Sequence, residues 1–119
     1  QNLYSKLKYK GMVLLYVPAF MLLWTDLDEK VNHFRRYYLK NLHALITDCG
    51  FKIVQLRYVD CLGFFVTYLF KILRLKSNTL NPTTIKIYDK VIFPLSIVLD
   101  KIFSGIFGKN ILLIAEKIK

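Results

Sequence analysis

The sequence predicts an α/β protein whose three strands make up half of a larger sheet. Three observations predict it. Met12–Val17, Phe51–Val59 and Ile111–Ala115 are short apolar runs of strand length. The first is apolar on both faces, as expected of a central strand in a sheet covered on both sides. Between the runs lie segments of helical period, so the order is strand, helix, strand, helical hairpin, strand.

Each element has a local cause. Leu3 and Leu7 share one face of a helix end that runs to Lys8, and Gly11 is its natural C-terminal stop. Pro18 cannot donate to a ladder and ends the first strand. Ala19 to Tyr37 shows no period and is expected to be a long loop, which in a compact domain is usually functional. Leu39, Leu42, Leu45, Ile46 and Cys49 recur at helical spacing, and Gly50 closes that helix. Cys61–Leu75 is apolar nearly all round, broken by Thr67, Lys71 and Arg74. Lys76–Thr84, with Asn81-Pro82, is expected to turn. Ile85, Tyr88, Ile92, Leu95, Leu99, Ile102 and Ile106 then form one apolar stripe, with Thr83 or Thr84 as cap and Pro94 as a kink. Gly105 and Gly108 end that helix. No repeat or low-complexity segment occurs.

The chain has 119 residues, enough for one small domain, and 18 Lys/Arg against 8 Asp/Glu give a net charge of +10. The excess is spread along the chain rather than gathered in a block. It suits an anionic membrane surface or a phosphorylated substrate, and it argues against nucleic acid. Cys49 and Cys61 have no metal-ligand spacing; they read as reduced thiols of a cytosolic protein, and no metal is expected. Lys6, Lys8 and Lys10 before the apolar run Met12–Trp24 mimic a signal peptide. Pro18 interrupts that run, no small-residue cleavage site follows, and it is shorter than the ~20 residues of a spanning helix.

The densest chemistry is His33-Phe34-Arg35-Arg36-Tyr37, which follows Trp24, Asp26, Asp28 and Glu29. In open α/β sheets ligands bind beyond the carboxyl ends of the strands, and Pro18 marks such an end. His33 is the candidate base, or else an orienting hydrogen-bonder. Arg35 and Arg36 either hold an anionic group of a substrate or pair with Asp26, Asp28 or Glu29 to shape the loop. Tyr37 can hydrogen-bond or stack. Phe20 and Trp24 read as loop anchors in preference to substrate stackers, and His43 has no assigned role.

The conjunction Leu7-Lys8-x-x-Gly11, apolar strand, Val17-Pro18-Ala19, Leu23-Trp24, Asp28, His33-x-Arg35-Arg36-Tyr37, Leu42, Gly50-Phe51 resembles the C-terminal half of class I S-adenosylmethionine-dependent methyltransferases. Residues 1–60 carry the resemblance and Ile111–Lys119 fits the family's last strand. The stretch 61–109 matches only as an apolar helical hairpin inserted before that strand. The resemblance implies a Rossmann-like sheet of three strands in the family's order 5-7-6, with residues 1–119 a partial methyltransferase domain. It implies His33 as the catalytic residue, with Pro18, Asp28, Arg35, Arg36 and Tyr37 on the substrate side.

The sequence departs from the family in three places. Tyr9 and Lys10 replace the Pro and Gly of the turn before the strand. Tyr38 replaces the Thr or Ser that caps the next helix, a loss of ~1 kcal/mol. No Gly-x-Gly occurs anywhere, so the S-adenosylmethionine motif is absent. The resemblance therefore implies a fragment, inactive by itself, whose N-terminal half supplies the cofactor site and whose first strand keeps a bare edge. The apolar hairpin with Lys86, Lys90 and Lys101 is read either as packed helices or as a contact with an anionic bilayer. The methyl acceptor is expected to be a small molecule or a lipid-linked one; the second reading suggests a lipid-linked or otherwise amphiphilic acceptor and places the expected cytoplasmic protein peripherally on the inner face of the membrane. The competing hypothesis is a small basic membrane-associated protein without catalysis, which requires a helix at Met12–Val17.

Overall fold

The computed structural model describes residues 2–33, 35–73 and 81–119. Three strands form one sheet: β1 (Met12–Pro18), β2 (Phe51–Val59) and β3 (Asn110–Lys117). β3 lies in the middle and runs antiparallel to both neighbours, so β1 and β2 point the same way. Val17 pairs with Ile111 and Val13 with Ala115 on one side of β3. Tyr58 and Ile53 meet the same two residues on the other, with a register shift between Ile53 and Gln55. The carboxyl ends of β1 and β2 thus lie together with the amino end of β3. The expected strand positions hold to within two residues.

One sheet face is the core. Val13, Leu15 and Val17, then Ile111, Leu113 and Ala115, then Ile53, Leu56 and Tyr58 pack beneath two helices. These are α1 (Asn2–Lys6), whose Tyr4 joins the core together with the following Leu7, and α3 (Leu39–Asp48), which contributes Leu42 and Ile46. Lys117 extends from β3 to the Tyr4 and Leu7 carbonyls, 2.8 Å each, so a cation closes the C-terminal end of the first helix. The helix α3 begins at Tyr38 without a side-chain cap, as its residue type predicts. A substitute comes from the sheet: the Tyr58 hydroxyl accepts the Leu39 N–H at 3.2 Å.

The other face departs from expectation. Met12, Leu14 and Tyr16 alternate with the core residues of β1 and are more than half exposed. The run is apolar on both faces, yet helices cover only one of them along most of its length; on the other, Phe93 and Ile97 share a cleft with Tyr16 at the strand's carboxyl end. Met12, Leu14 and Tyr16 also line the free edge. Gly11 and Ala19 bond to Lys117 and Lys109 across the ladder. The alternation of an antiparallel pair then turns the N–H and C=O groups of Met12, Leu14 and Tyr16 away from β3. The helix at Met12–Val17 that a non-catalytic membrane protein would require is not found; that segment is strand.

The expected irregular loop contains a 3-10 turn at Met21–Leu23 and a short helix, α2 (Asp26–Lys30). The hairpin comprises α4 (Cys61–Ile72), α5 (Pro82–Ile87) and α6 (Phe93–Phe103). Residues 74–80, expected to complete the first helix and make the turn, lie outside the described residues. The cap of α5 is Asn81 rather than Thr83 or Thr84; its side chain accepts the Thr84 N–H at 2.8 Å, and Pro82 follows in the first turn. A wide π-helical turn at Tyr88–Ile92 joins α5 to α6 immediately before Pro94, where a proline removes one helical bond.

The stripe expected on this helix is turned outward in large part. Ser96 and Asp100 are buried, whereas Leu95, Ile102 and Ile106 are at least half exposed. The reason lies at the start of α4, whose first amides need acceptors. Asp100 takes the N–H groups of Asp60 and Cys61 at 2.7 and 2.9 Å, and Ser96 Oγ takes that of Leu62 at 3.1 Å. Asp60 itself caps Gly63 at 3.0 Å and accepts the Tyr88 hydroxyl through its other oxygen. Satisfying the three N–H groups of Asp60, Cys61 and Leu62 fixes the rotation of α6, and its apolar residues take the remaining directions.

Candidate functional site

The loop that leaves β1 is clipped to itself at the mouth of the sheet. Pro18 O accepts the Tyr37 N–H at 2.9 Å and Tyr37 O accepts that of Phe20 at 3.0 Å, so β1 gains one bridge at its carboxyl end. Phe20, with φ of 58°, stacks on Tyr58 at 4.9 Å and meets Tyr38 and Phe64 edge-on. It anchors the loop to β2 and α4, as its sequence context suggested.

Within this frame Asp28 is the hub. Its carboxylate is 2 % exposed and takes the Thr25 N–H at 2.9 Å, which starts α2. It also faces His33 Nδ1 at 2.9 Å and Arg36 Nη2 at 3.0 Å. Burial by itself raises the Asp28 pKa. The hydrogen bonds from His33, Arg36 and Thr25 outweigh that and hold it below the ordinary aspartate value. An ionised carboxylate only accepts, so His33 donates from Nδ1; in a neutral imidazole with that tautomer the lone pair is on Nε2. The His33 side chain is 40 % exposed, so the ring is oriented by a buried acid yet reachable.

The two arginines part company. Arg36 is buried; besides Asp28 it donates to Ala19 O at 3.1 Å and Lys109 O at 3.5 Å, and its Nε has no partner among the described residues. It fixes the loop's shape. Arg35 is exposed, its guanidinium 4.9 Å from the centre of the Tyr37 ring. Arg35, Arg36 and Tyr37 line a cleft of about 380 Å³ with Met21, Tyr38, Asn41 and Leu45. His33 lies outside that cleft, and Phe34 is not among the described residues. Pro18 is half-buried and acts through its carbonyl.

Sequence reasoning missed the residues on the β2 and β3 side of the same mouth. Lys109, just ahead of β3, is pushed below the ordinary lysine pKa by burial, against the pull of Asp60 and Asp28, and its ammonium lies 5.4 Å from the Tyr88 ring centre. The Tyr88 hydroxyl is raised by burial and by its bond to Asp60. A second cleft of about 240 Å³ is lined by Tyr16, Arg57, Val59, Asp60, Phe93, Ile97 and Asp100. The available signals were Asp60, a capping residue directly before an apolar helix, and Asp100, four after Ser96 in a helix otherwise apolar there. Among the described residues no group of three or more His, Cys, Asp or Glu is placed to hold a metal ion.

In comparisons with protein-family models, curated proteins and solved structures, the chain matches none.

Proposed function

We propose that this chain forms the acceptor side of a class I S-adenosylmethionine-dependent methyltransferase. The observation that carries the reading is the Asp28–His33 pair, held on the loop that leaves the carboxyl end of β1, in the segment with the family resemblance. The placement of β3 between β1 and β2, antiparallel to both, supports it, since the family order 5-7-6 has that arrangement. The free edge of β1 supports it too, being where the family's strand four would pair.

The residues present do not fit the cofactor. The five glycines are isolated, and the strand-to-helix turn from β2 into α4 is already closed by Asp60, Ser96 and Asp100 on its amides. The reading therefore assigns this chain the acceptor only. Methyl transfer needs an acceptor aligned in line, and a hydroxyl or amine acceptor must lose its proton. His33 Nε2 takes that proton, and the imidazolium that forms is stabilised by Asp28. Arg35 holds an anionic group of the acceptor, while Arg36 keeps the loop in register.

The reading frame upstream of Gln1 tests the proposal. A glycine-rich strand-to-helix turn is expected about a hundred residues before it, from the usual domain size. A start codon close by, with no such turn, overturns it.

A further inference from the structure

The rotation of α6 leaves an unusual surface. A helix on a water-facing surface buries its apolar stripe; α6 buries Ser96 and Asp100 and exposes Leu95, Val98 and Ile102, at 52 %, 58 % and 71 %. Its partner α4 does likewise, with Phe65, Leu69 and Ile72 at helical spacing and each more than half exposed. Apolar exposure on this scale marks a contact surface.

Charge selects the occupant. Residues 61–106 carry six Lys/Arg, and of their two carboxylates Asp100 is buried, leaving Asp89 alone at the surface. A second copy docked on this face would set its own basic residues of 61–106 against these. A surface that is apolar within and negative at its rim meets both requirements, and a bilayer with acidic headgroups is such a surface. No helix among the described residues is long and apolar enough to cross a membrane, so the contact is interfacial.

We propose that the outward faces of α4 and α6 dock on an anionic phospholipid bilayer. The hairpin leaves the carboxyl end of β2 and returns to the amino end of β3. Lys71 Nζ also donates to Leu22 O in the loop that holds Asp28 and His33. Docking brings the mouth of the sheet to the lipid surface. The acceptor is then an amphiphile presented there with its anionic headgroup toward Arg35, a point that rests on the methyltransferase reading, whereas the docking does not.

Co-sedimentation of the intact chain with phosphatidylcholine vesicles, with and without phosphatidylglycerol, tests the docking. Binding is expected to be at least about tenfold stronger to the anionic vesicles and to weaken with salt. The double variant Val98→Asp/Ile102→Asp changes exposed side chains only. It is expected to keep the wild-type circular dichroism and lose at least about tenfold in binding. Failure of the wild type to bind anionic vesicles, or equal binding by a folded double variant, overturns the proposal. So does a lipid-free dimer that the double variant abolishes, since a second copy then covers the face. None of these outcomes bears on methyl transfer, which the upstream reading frame tests separately.

Discussion

Asp28 shows how one buried carboxylate can organise a loop and an imidazole together. Its ion pair with Arg36 is out of water on both sides, with side-chain exposures of 2 % and 5 %. Asp28→Asn leaves the guanidinium without its counter-charge and is expected to lower stability by about 3–5 kcal/mol, read by urea unfolding. The pH dependence follows from the direction of the shift. The folded Asp28 pKa lies below its unfolded value of about 3.9. Its contribution is full above that value and is lost as pH falls through the folded pKa. The wild-type urea midpoint should therefore drop in the acid range below about pH 4, and Asp28→Asn should lack this part of the drop. Tyr58→Phe removes the acceptor of the Leu39 N–H and is expected to lower stability by about 1 kcal/mol, by the same measurement. The sequence singled out Asp28, His33 and both arginines, but it could not separate Arg35 from Arg36. Adjacent identical residues differ only by which way the loop backbone turns, and that is set by distant groups such as the Lys109 and Ala19 carbonyls.

Among the elements, strands were legible and the rotation of α6 was not. Continuous apolar runs bounded by Pro18, Gly50 and Gly108 locate β1, β2 and β3 closely. Periodicity fails for α6 because it assumes that apolar residues turn inward. Here the inward face is chosen by the unpaired amides that begin α4, and Ser96 and Asp100 answer them. Asp100→Leu improves the apolar stripe on paper yet leaves the Asp60 and Cys61 N–H groups without acceptors. It is expected to destabilise by about 2–6 kcal/mol, at about 1–3 for each buried donor. Ile102→Ser alters the stripe on its exposed side and is expected to change stability by less than about 0.5 kcal/mol. Equal losses for the two variants in chemical denaturation would contradict the inward placement of Asp100. The kink expected at Pro94 is likewise expressed upstream, as the π-helical turn, because the strain of a proline falls on the turn before it.

The whole molecule is longer than a compact domain of its size. Its radius of gyration is 15.8 Å, against about 13.5 Å expected for 119 residues. The sheet has one covered face, a second face that α6 reaches only beside Tyr16 and that leaves Met12 and Leu14 exposed, and, among the described residues, a free edge along Met12–Tyr16. Such an edge pairs readily with another chain. Leu14→Lys places a charge on both the bare face and the edge strand, and light scattering is expected to show less self-association with the fold retained. Sequence patterning announced a strand covered on two sides because that is what its composition is suited for; among the described residues the second cover reaches only its carboxyl end.

We propose that this end of the sheet holds a methyl acceptor against His33. The most direct measurement is transfer of labelled methyl from S-adenosylmethionine to membrane lipid extract by the product of the whole reading frame, with cofactor binding followed in parallel. Transfer is expected from the wild type, with a fall of about 10²–10⁴-fold in His33→Ala and cofactor affinity unchanged. Turnover that is the same in His33→Ala and Arg35→Ala as in the wild type, or a whole product that neither binds the cofactor nor transfers its methyl group, would contradict it.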